Sequence, residues 1–219
     1  MLKKNLFNLF VIFIILLLFS LGSWQLKRLS WKTNLIANIS NSFNSSPIQI
    51  SANIKEFDKI KFNGTIIGEP ISVYKLGVNG SYGFDIYYPL LVKDENIMIK
   101  AGWSPKIIKE IKGFQNNKYD FEGVVFNFQK KNLFTPENHE KEFYYFINSK
   151  VLSKKYNKQF SNFYLHETGN VFKSLNLYKN NNIKIRNNHL QYALTWYSLC
   201  FIILVAFIIY RKKYEVRQH

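Results

Sequence analysis

The sequence predicts an α+β membrane protein in which two transmembrane helices flank a mostly antiparallel β outer domain with one short helix. A long uncharged apolar segment lies near each end of the 219-residue chain. Between them, strand-length runs of apolar and aromatic residues alternate with polar turns. The spacing of these runs is typical of hairpins, so we expect an open barrel or a sheet.

The first apolar segment covers residues 5–26, after a short N-terminus (residues 1–4) that contains Lys3 and Lys4. Its length is sufficient to cross a bilayer. A cleaved signal peptide with Ser20 and Gly22 near the cleavage site is the alternative, but the length favours an uncleaved anchor. Gly22 and Ser23 would allow a partner helix to approach closely.

The first helix is expected to continue beyond the membrane, and the Asn- and Ser-rich residues 38–46 are expected to form a loop. Trp24, Arg28 and Lys32 recur every four residues, so they share one helix face. Simple anchoring explains this face, because Trp is common at membrane interfaces and cations bind lipid phosphates.

Residues 27–186 form the predicted outer domain, which is long enough to bury its own core. Strands are predicted at residues 59–67, 71–76, 84–92, 97–103, 121–128, 143–148 and 163–167, and a helix at residues 150–160. Gly102 lies between a strand and Trp103, where the backbone is expected to need an unusual dihedral angle. Trp103 is a candidate partner-binding residue, although a cap on the domain core is an equal alternative.

The second span is predicted at residues 187–210 and begins with the sequence NNHLQYALTWYSL. At about 100° per residue, His189, Tyr192, Trp196 and Cys200 lie on one helix face. An ionisable side chain at this depth is a functional-site hypothesis. The competing interpretation is an aromatic belt with a hydrated histidine at the membrane interface.

Charge predicts the orientation and excludes some functions. The net charge is +16, but 26 Lys against only 4 Arg is not typical of a surface that reads bases, so we predict no nucleic-acid partner. Basic residues at the N-terminus and in the tail (residues 211–219) place both ends in the cytoplasm and the main domain in the periplasm. The single Cys and the scattered His139, His166, His189 and His219 form no catalytic or metal motif, and we predict that the chain is not an enzyme.

Four segments together resemble the surfeit locus protein 1 family. They are LGSWQLKR at residues 21–28, GFDIYYPLLVKDENIMIKAGWSP at residues 83–105, LFTPEN at residues 133–138 and NNHLQYALTWYSL at residues 187–199. Two departures stand out: Lys100–Ala101 replaces the usual Asn–Arg pair, and Tyr144–Tyr145–Phe146 followed by Asn148 replaces an aromatic–Asp step.

This resemblance implies an assembly factor for cytochrome c oxidase that binds haem a and aids its insertion into the catalytic subunit. His189 would be the iron ligand. The helix-face argument adds Tyr192 and Trp196 beside the macrocycle and Trp24 on the first helix, where Arg28 and Lys32 would pair with the propionates. Implied partners are the oxidase catalytic subunit, haem a synthesis or assembly proteins, and the lipid bilayer. The expected location is a bacterial inner membrane, since no mitochondrial transit peptide is seen. The alternative function is a membrane-tethered scaffold that binds an oxidase subunit or assembly partner without binding haem.

Overall fold

The computed structural model describes residues 2–50, 53–77, 80–109, 117–138, 142–179 and 185–216, and the side chains of residues 5–213 within these ranges. His139 and His219 lie outside them. The elements in chain order are α1 (Leu2–Asn44), β1 (Ile48–Gln49), β2 (Lys59–Ile66), β3 (Ile71–Tyr74), β4 (Phe84–Val92), β5 (Glu95–Ser104), β6 (Lys118–Asn127), α2 (Ser149–Tyr156), β7 (Phe160–Glu167) and α3 (His189–Val216).

The chain divides into two compact units. Met1–Ala37 and Ile185–His219 form a helical unit, and Asn38–Lys184 form a β unit. The helices contain two stretches that are long and apolar enough to cross a membrane, Asn5–Asn44 and His189–Lys213. This agrees with the sequence-based prediction of one span near each end.

In the helical unit, α1 and α3 run antiparallel along a seam with alternating steps of three and four residues. On α1 the seam contains Asn8, Val11, Ile15, Leu18, Gly22, Gln25, Leu29 and Lys32, and on α3 it contains His189, Ala193, Trp196, Cys200, Ile203 and Phe207. Gly22 lies against the Tyr197 ring, and a Cβ at this position would be 2.7 Å from a ring carbon. The expected close helix approach at Gly22 is therefore present.

The β unit is a closed five-stranded barrel with the strand order β2-β6-β7-β5-β4, closed by a short pairing of β4 with β2. All pairings within the barrel are antiparallel except that of β5 with β7. β3 extends the sheet beyond β4, and β1 extends it beyond β2. The predicted fold class is confirmed, and the structure adds that the barrel is closed.

Inward side chains fill the barrel because alternate residues of a strand point to the same side. The core contains Ile60, Phe62, Ile86, Tyr88, Leu90, Ile97, Ile99, Phe121, Val125 and Leu165. Phe172 enters this core and stacks on Tyr88 with ring centroids 4.7 Å apart. A second cluster, with Tyr87, Met98 and Leu152 at its centre, packs α2 against the outside of the sheet. Apolar burial on both sides explains why β4 is buried along nearly its whole length.

Two local predictions are wrong. Residues 38–46 were expected to be a loop, but α1 continues to Asn44 because Ile39 is buried and Phe43 packs its ring against Phe126 and His166. Residues 143–148 were expected to be a strand, but only an isolated bridge joins Tyr144 to Val73. Packing against the rest of the β unit has overridden the local signals in both cases.

The helix expected at residues 150–160 is present but shorter. It begins after Asn148, whose side chain accepts a hydrogen bond from the backbone N–H of Val151, and ends at Asn157 in the left-handed conformation (φ 51°). An asparagine cap at each end is typical of short helices. Phe160 then begins β7 instead of ending the helix.

Candidate functional site

The strongest candidate site is the beginning of α3, where His189 is the first helical residue. The backbone N–H of Tyr192 donates to the carbonyl of Asn188, so Asn188 occupies the cap position. Asn187 instead contacts the other helix, because its side-chain amide donates to Thr33 Oγ1 of α1 over 3.2 Å. The Oδ1 atom of Asn187 is buried without a hydrogen-bond partner. The chain therefore enters α3 with its first residues attached to the opposite helix.

The imidazole of His189 is oriented by α1. Its Nδ1 lies 2.7 Å from Oε1 of Gln25, and the ring is half-buried. An amide oxygen only accepts hydrogen bonds, so Nδ1 donates to Oε1 in this contact, and in the neutral ring the lone pair then lies on Nε2. A histidine held through one ring nitrogen, with the other free to coordinate, is the usual arrangement of a metal-ligating imidazole.

A ladder of three side-chain hydrogen bonds crosses between the helices in this region. Besides the bonds of Asn187 and His189, Tyr197 Oη lies 3.0 Å from Ser23 Oγ. The Tyr197 ring also contacts Phe19, with centroids 5.6 Å apart. Hydrogen bonds between helices in apolar surroundings fix their register, because the alternative is an unsatisfied polar group.

The structure brings together only some of the predicted site residues. Trp196 lies with His189 on the seam of α3, and Lys32 lies on the seam of α1. Trp24 and Tyr192 are 54% and 52% exposed, so both present broad aromatic surfaces outward. Their predicted roles, like those of the other site residues, stay predictions.

Arg28 has a neighbour that the sequence did not indicate. Its guanidinium lies over the Trp31 ring, 4.5 Å from the centroid, which is the geometry of a cation–π contact. Trp31 is itself 53% exposed. Trp24, Arg28 and Trp31 thus form an exposed aromatic and cationic surface on α1.

Gln25, Ser23 and Tyr197 were missed as site residues. Gln25 sits between Trp24 and the charged Lys27 and Arg28, so by itself it looks like part of a solvated face. The signal that identifies it is the three-and-four spacing of Gly22, Gln25 and Leu29, which is typical of a helix–helix seam.

Trp103 makes extensive contacts within the β unit. Its Nε1 donates to the carbonyl of Lys75 over 2.8 Å, its ring covers Gly77 and Gly83, and its backbone forms a two-bond bridge with Tyr178. These contacts are what a cap on the domain core would make, and the partner-binding role of Trp103 stays a prediction.

Gly102, directly before Trp103, lies where the structure leaves no room for a side chain. A Cβ there would lie 2.7 Å from Cβ of Leu177. Its φ of 159° is also one that residues with a side chain rarely adopt, so the expected unusual dihedral angle is present and adds to the crowding. The strand pairing shifts at this point, where Ile86 is opposite Gly102 and Tyr87 is opposite Lys100, which leaves Ala101 as a bulge.

Buried charged residues cluster on the barrel. Lys100 Nζ lies 2.8 Å from Asp85 Oδ1, so the lysine that departs from the family pattern is ion-paired. Burial, with help from nearby Lys100 and Lys179, lowers the pKa of His166 to about 3. Burial also raises the pKa of Glu167, although the Lys179 ammonium 2.6 Å away opposes this. His166 is therefore neutral at pH 7 and lies near two ion pairs, Lys100–Asp85 and Lys179–Glu167.

Comparison with known proteins decides the family. A model of the SURF1 family matches residues 12–201, which include most of both apolar segments and the whole barrel. The chain belongs to the SURF1 family. It is 30% identical to the SURF1-like protein of Rickettsia conorii over 226 residues, covering 96% of this chain and 92% of that protein. Its identity to surfeit locus protein 1 of Gallus gallus is 24% over 222 residues, covering 89% and 71% of the two chains.

Proposed function

We propose that this SURF1-family chain is an assembly factor for haem-copper cytochrome c oxidase that holds haem a in the helical unit and aids its insertion into the catalytic subunit. The observation that carries the proposal is the hydrogen bond between His189 Nδ1 and Gln25 Oε1. It leaves Nε2 with a free lone pair on a half-buried ring, which is what an axial ligand of haem iron needs.

The surrounding residues fit a large, flat, partly anionic ligand. Trp196 supplies an aromatic surface on the same seam as His189, and Tyr192 and Trp24 expose theirs. Arg28 and Lys32 are cations on α1 that suit propionate groups, because charge-assisted hydrogen bonds to carboxylates are stronger than neutral ones.

A single histidine suits a carrier, since cargo must be released after it is bound. His189 is half-buried, and no second imidazole lies in the described part of the helical unit. Bound haem would supply the redox and oxygen chemistry of the oxidase only after transfer. The role proposed for this chain is therefore binding and delivery, with no catalysis of its own.

The proposed location is a bacterial inner membrane, with both termini in the cytoplasm and the β unit in the periplasm. Relatives in Rickettsia and two membrane-length helices support it, and the basic residues of the C-terminal tail support the orientation. Reporter fusions test it: a fusion after Arg211 should be active in the cytoplasm, and one in the β unit should be active outside. A cytoplasmic signal from the β unit would contradict this topology.

The test of haem binding compares purified variants from a host that makes haem a. The wild-type protein should copurify with haem, visible in its absorption spectrum, and His189→Ala should lose it while still accumulating in the membrane. Gln191→Ala is the matched control, because Gln191 is exposed and lies in the same helical turn.

The outcomes separate carrier from scaffold. Haem retained at wild-type levels in His189→Ala would refute the ligand role. A wild-type protein without haem, together with oxidase assembly defects caused only by changes in the β unit, would support the scaffold that binds an oxidase subunit or assembly partner.

A further inference from the structure

The loop between β6 and α2 exposes two large apolar side chains at its tip. Leu133 is 99% exposed and Phe134 is 93% exposed, while most apolar side chains of the β unit are at least partly buried. The loop does not belong to the haem site proposed above. Two adjacent, almost fully exposed apolar residues need an explanation, because nothing within the described residues covers them.

The loop is built to hold this tip outward. Oδ1 of Asn132 accepts hydrogen bonds from Phe134 N at 3.0 Å and from Thr135 Oγ1 at 2.8 Å. The backbone N–H of Thr135 donates to the carbonyl of Asn132 over 3.2 Å. The tip therefore satisfies the N–H groups of Phe134 and Thr135 internally, as a segment must when it enters an environment with little water.

The base of the loop is fixed to the β unit. Asn138 donates through Nδ2 to the carbonyl of Phe146 over 2.7 Å and accepts at Oδ1 from Tyr145 N over 2.8 Å. Lys131 forms an ion pair with Glu137, and its Nζ lies 5.4 Å from the centroid of the Phe146 ring. These contacts give the exposed tip a defined position.

We propose that the Leu133–Phe134 tip inserts into the interface of an anionic lipid bilayer, with Lys130 contacting lipid phosphates. Charge complementarity supports this occupant, since the exposed Lys130 precedes the apolar pair and attracts an anionic surface, while Lys131 keeps its ion pair with Glu137. An aromatic side chain next to cations is typical of segments that lie at the membrane interface.

The size of the apolar surface favours a bilayer over a protein. A large aromatic side chain buries about 150–250 Å², so this pair offers on the order of 400 Å². A specific protein interface buries about 800 Å² on each partner. By contrast, the β unit follows one candidate span and precedes the other. This tethering gives the tip a high effective concentration at the membrane, so a small contact suffices.

Nitroxide accessibility in the full-length protein tests the proposal. Cys200 is the single cysteine of the chain, so Cys200→Ser gives a background for Leu133→Cys carrying a spin label. Asp94→Cys is the control, because Asp94 is an exposed turn residue between β4 and β5. Both proteins are reconstituted in vesicles of phosphatidylethanolamine and phosphatidylglycerol, and collision with oxygen is compared with collision with a water-soluble nickel chelate.

The ratio of oxygen to nickel collisions should be several-fold higher at position 133 than at position 94. Adding Phe134→Asp, or replacing the anionic vesicles with phosphatidylcholine, should lower the ratio at position 133. Equal ratios at the two positions would overturn the proposal, as would a ratio unaffected by Phe134→Asp. A label at position 133 shielded from both reagents would instead indicate a protein contact and would equally overturn it.

Discussion

The replacement of Gln25 by Leu tests whether the histidine is held for a ligand. Leu has nearly the same size as Gln but cannot accept the hydrogen bond from His189 Nδ1, which is 2.7 Å long in the wild-type structure. Without it, the imidazole can change its tautomer and orientation, and Nε2 loses its defined position. Loss of a partner that orients a metal-ligating histidine typically lowers metal affinity by 10- to 100-fold. We therefore expect the affinity for haem a to fall by roughly that factor, about 1.4–2.8 kcal/mol.

A carboxylate at position 25 should behave differently. Gln25→Glu keeps an acceptor for Nδ1–H and makes the imidazole more basic, so we expect haem binding to be retained and the reduction potential of the bound iron to fall. A purely structural hydrogen bond predicts no such difference in potential. The Gln25→Leu and Gln25→Glu variants thus separate positioning of the ligand from support of the helix pair.

The assay is a haem titration of the full-length protein in mild detergent, followed by absorbance. Ser23→Ala is the matched control, because Ser23 bonds to Tyr197 on the same two helices but does not contact His189. Its affinity should stay close to that of the wild type. If Gln25→Leu binds haem with wild-type affinity while His189→Ala does not bind, the positioning role is refuted but the ligand role survives.

Three further predictions concern stability. Gly22→Val should destabilise the helix pair by about 1–3 kcal/mol in thermal denaturation, because the valine side chain would overlap the Tyr197 ring. Unchanged stability would contradict the close packing of α1 and α3 at this position. In urea denaturation, Trp103→Ala should lower the free energy of unfolding by about 3 kcal/mol. Trp103→Phe should lower it by about 1 kcal/mol, because the hydrogen bond to the Lys75 carbonyl is lost. Wild-type stability in both variants would favour the partner-binding role. The pKa of His166 is about 3 in the folded state. The stability that depends on His166 being neutral is therefore complete above the ordinary pKa of about 6.5 and is lost as the pH falls below it. The free energy of unfolding should drop by about 2 kcal/mol between about pH 6.5 and pH 5, and by less in His166→Gln. Parallel pH profiles of the two proteins would show that protonation of His166 is not the cause.

The elements that the sequence predicted best are those whose signal is local. The strand at residues 84–92 was predicted with the bounds that the structure shows, because a run that is apolar except for Asp85 ends at the charged turn containing Lys93 and Asp94. Residues 143–148 have a similar composition but form no strand. Their backbone meets the sheet only where Tyr144 bridges Val73. A strand needs a partner along its length, and the local pattern does not reveal whether one is available.

The candidate site was only partly predictable for a related reason. Helical periodicity identified the face with His189 and Trp196, but it could not show which face of the first helix lies opposite. The prediction chose Trp24, Arg28 and Lys32, a row with four-residue spacing. The structure adds Gln25, which lies against His189, and a stack of Arg28 on Trp31. The roles predicted for Trp24, Arg28 and Lys32 stay predictions. Only the pairing of two helices distinguishes a seam glutamine from an exposed one.

The hydrogen-bond ladder explains why this end of the helical unit suits a ligand site. Apolar surfaces between membrane helices supply little specificity, since lipid tails are equally apolar. The Gly22–Tyr197 contact sets how closely the helices approach, and the bonds of Ser23, Gln25 and Thr33 set their register. Each polar group here is costly if its partner is removed. The Gln25 bond, which is one of those that specify the pairing, also fixes the imidazole of His189, so a ligand would meet a preorganised donor and lose little binding energy in ordering it.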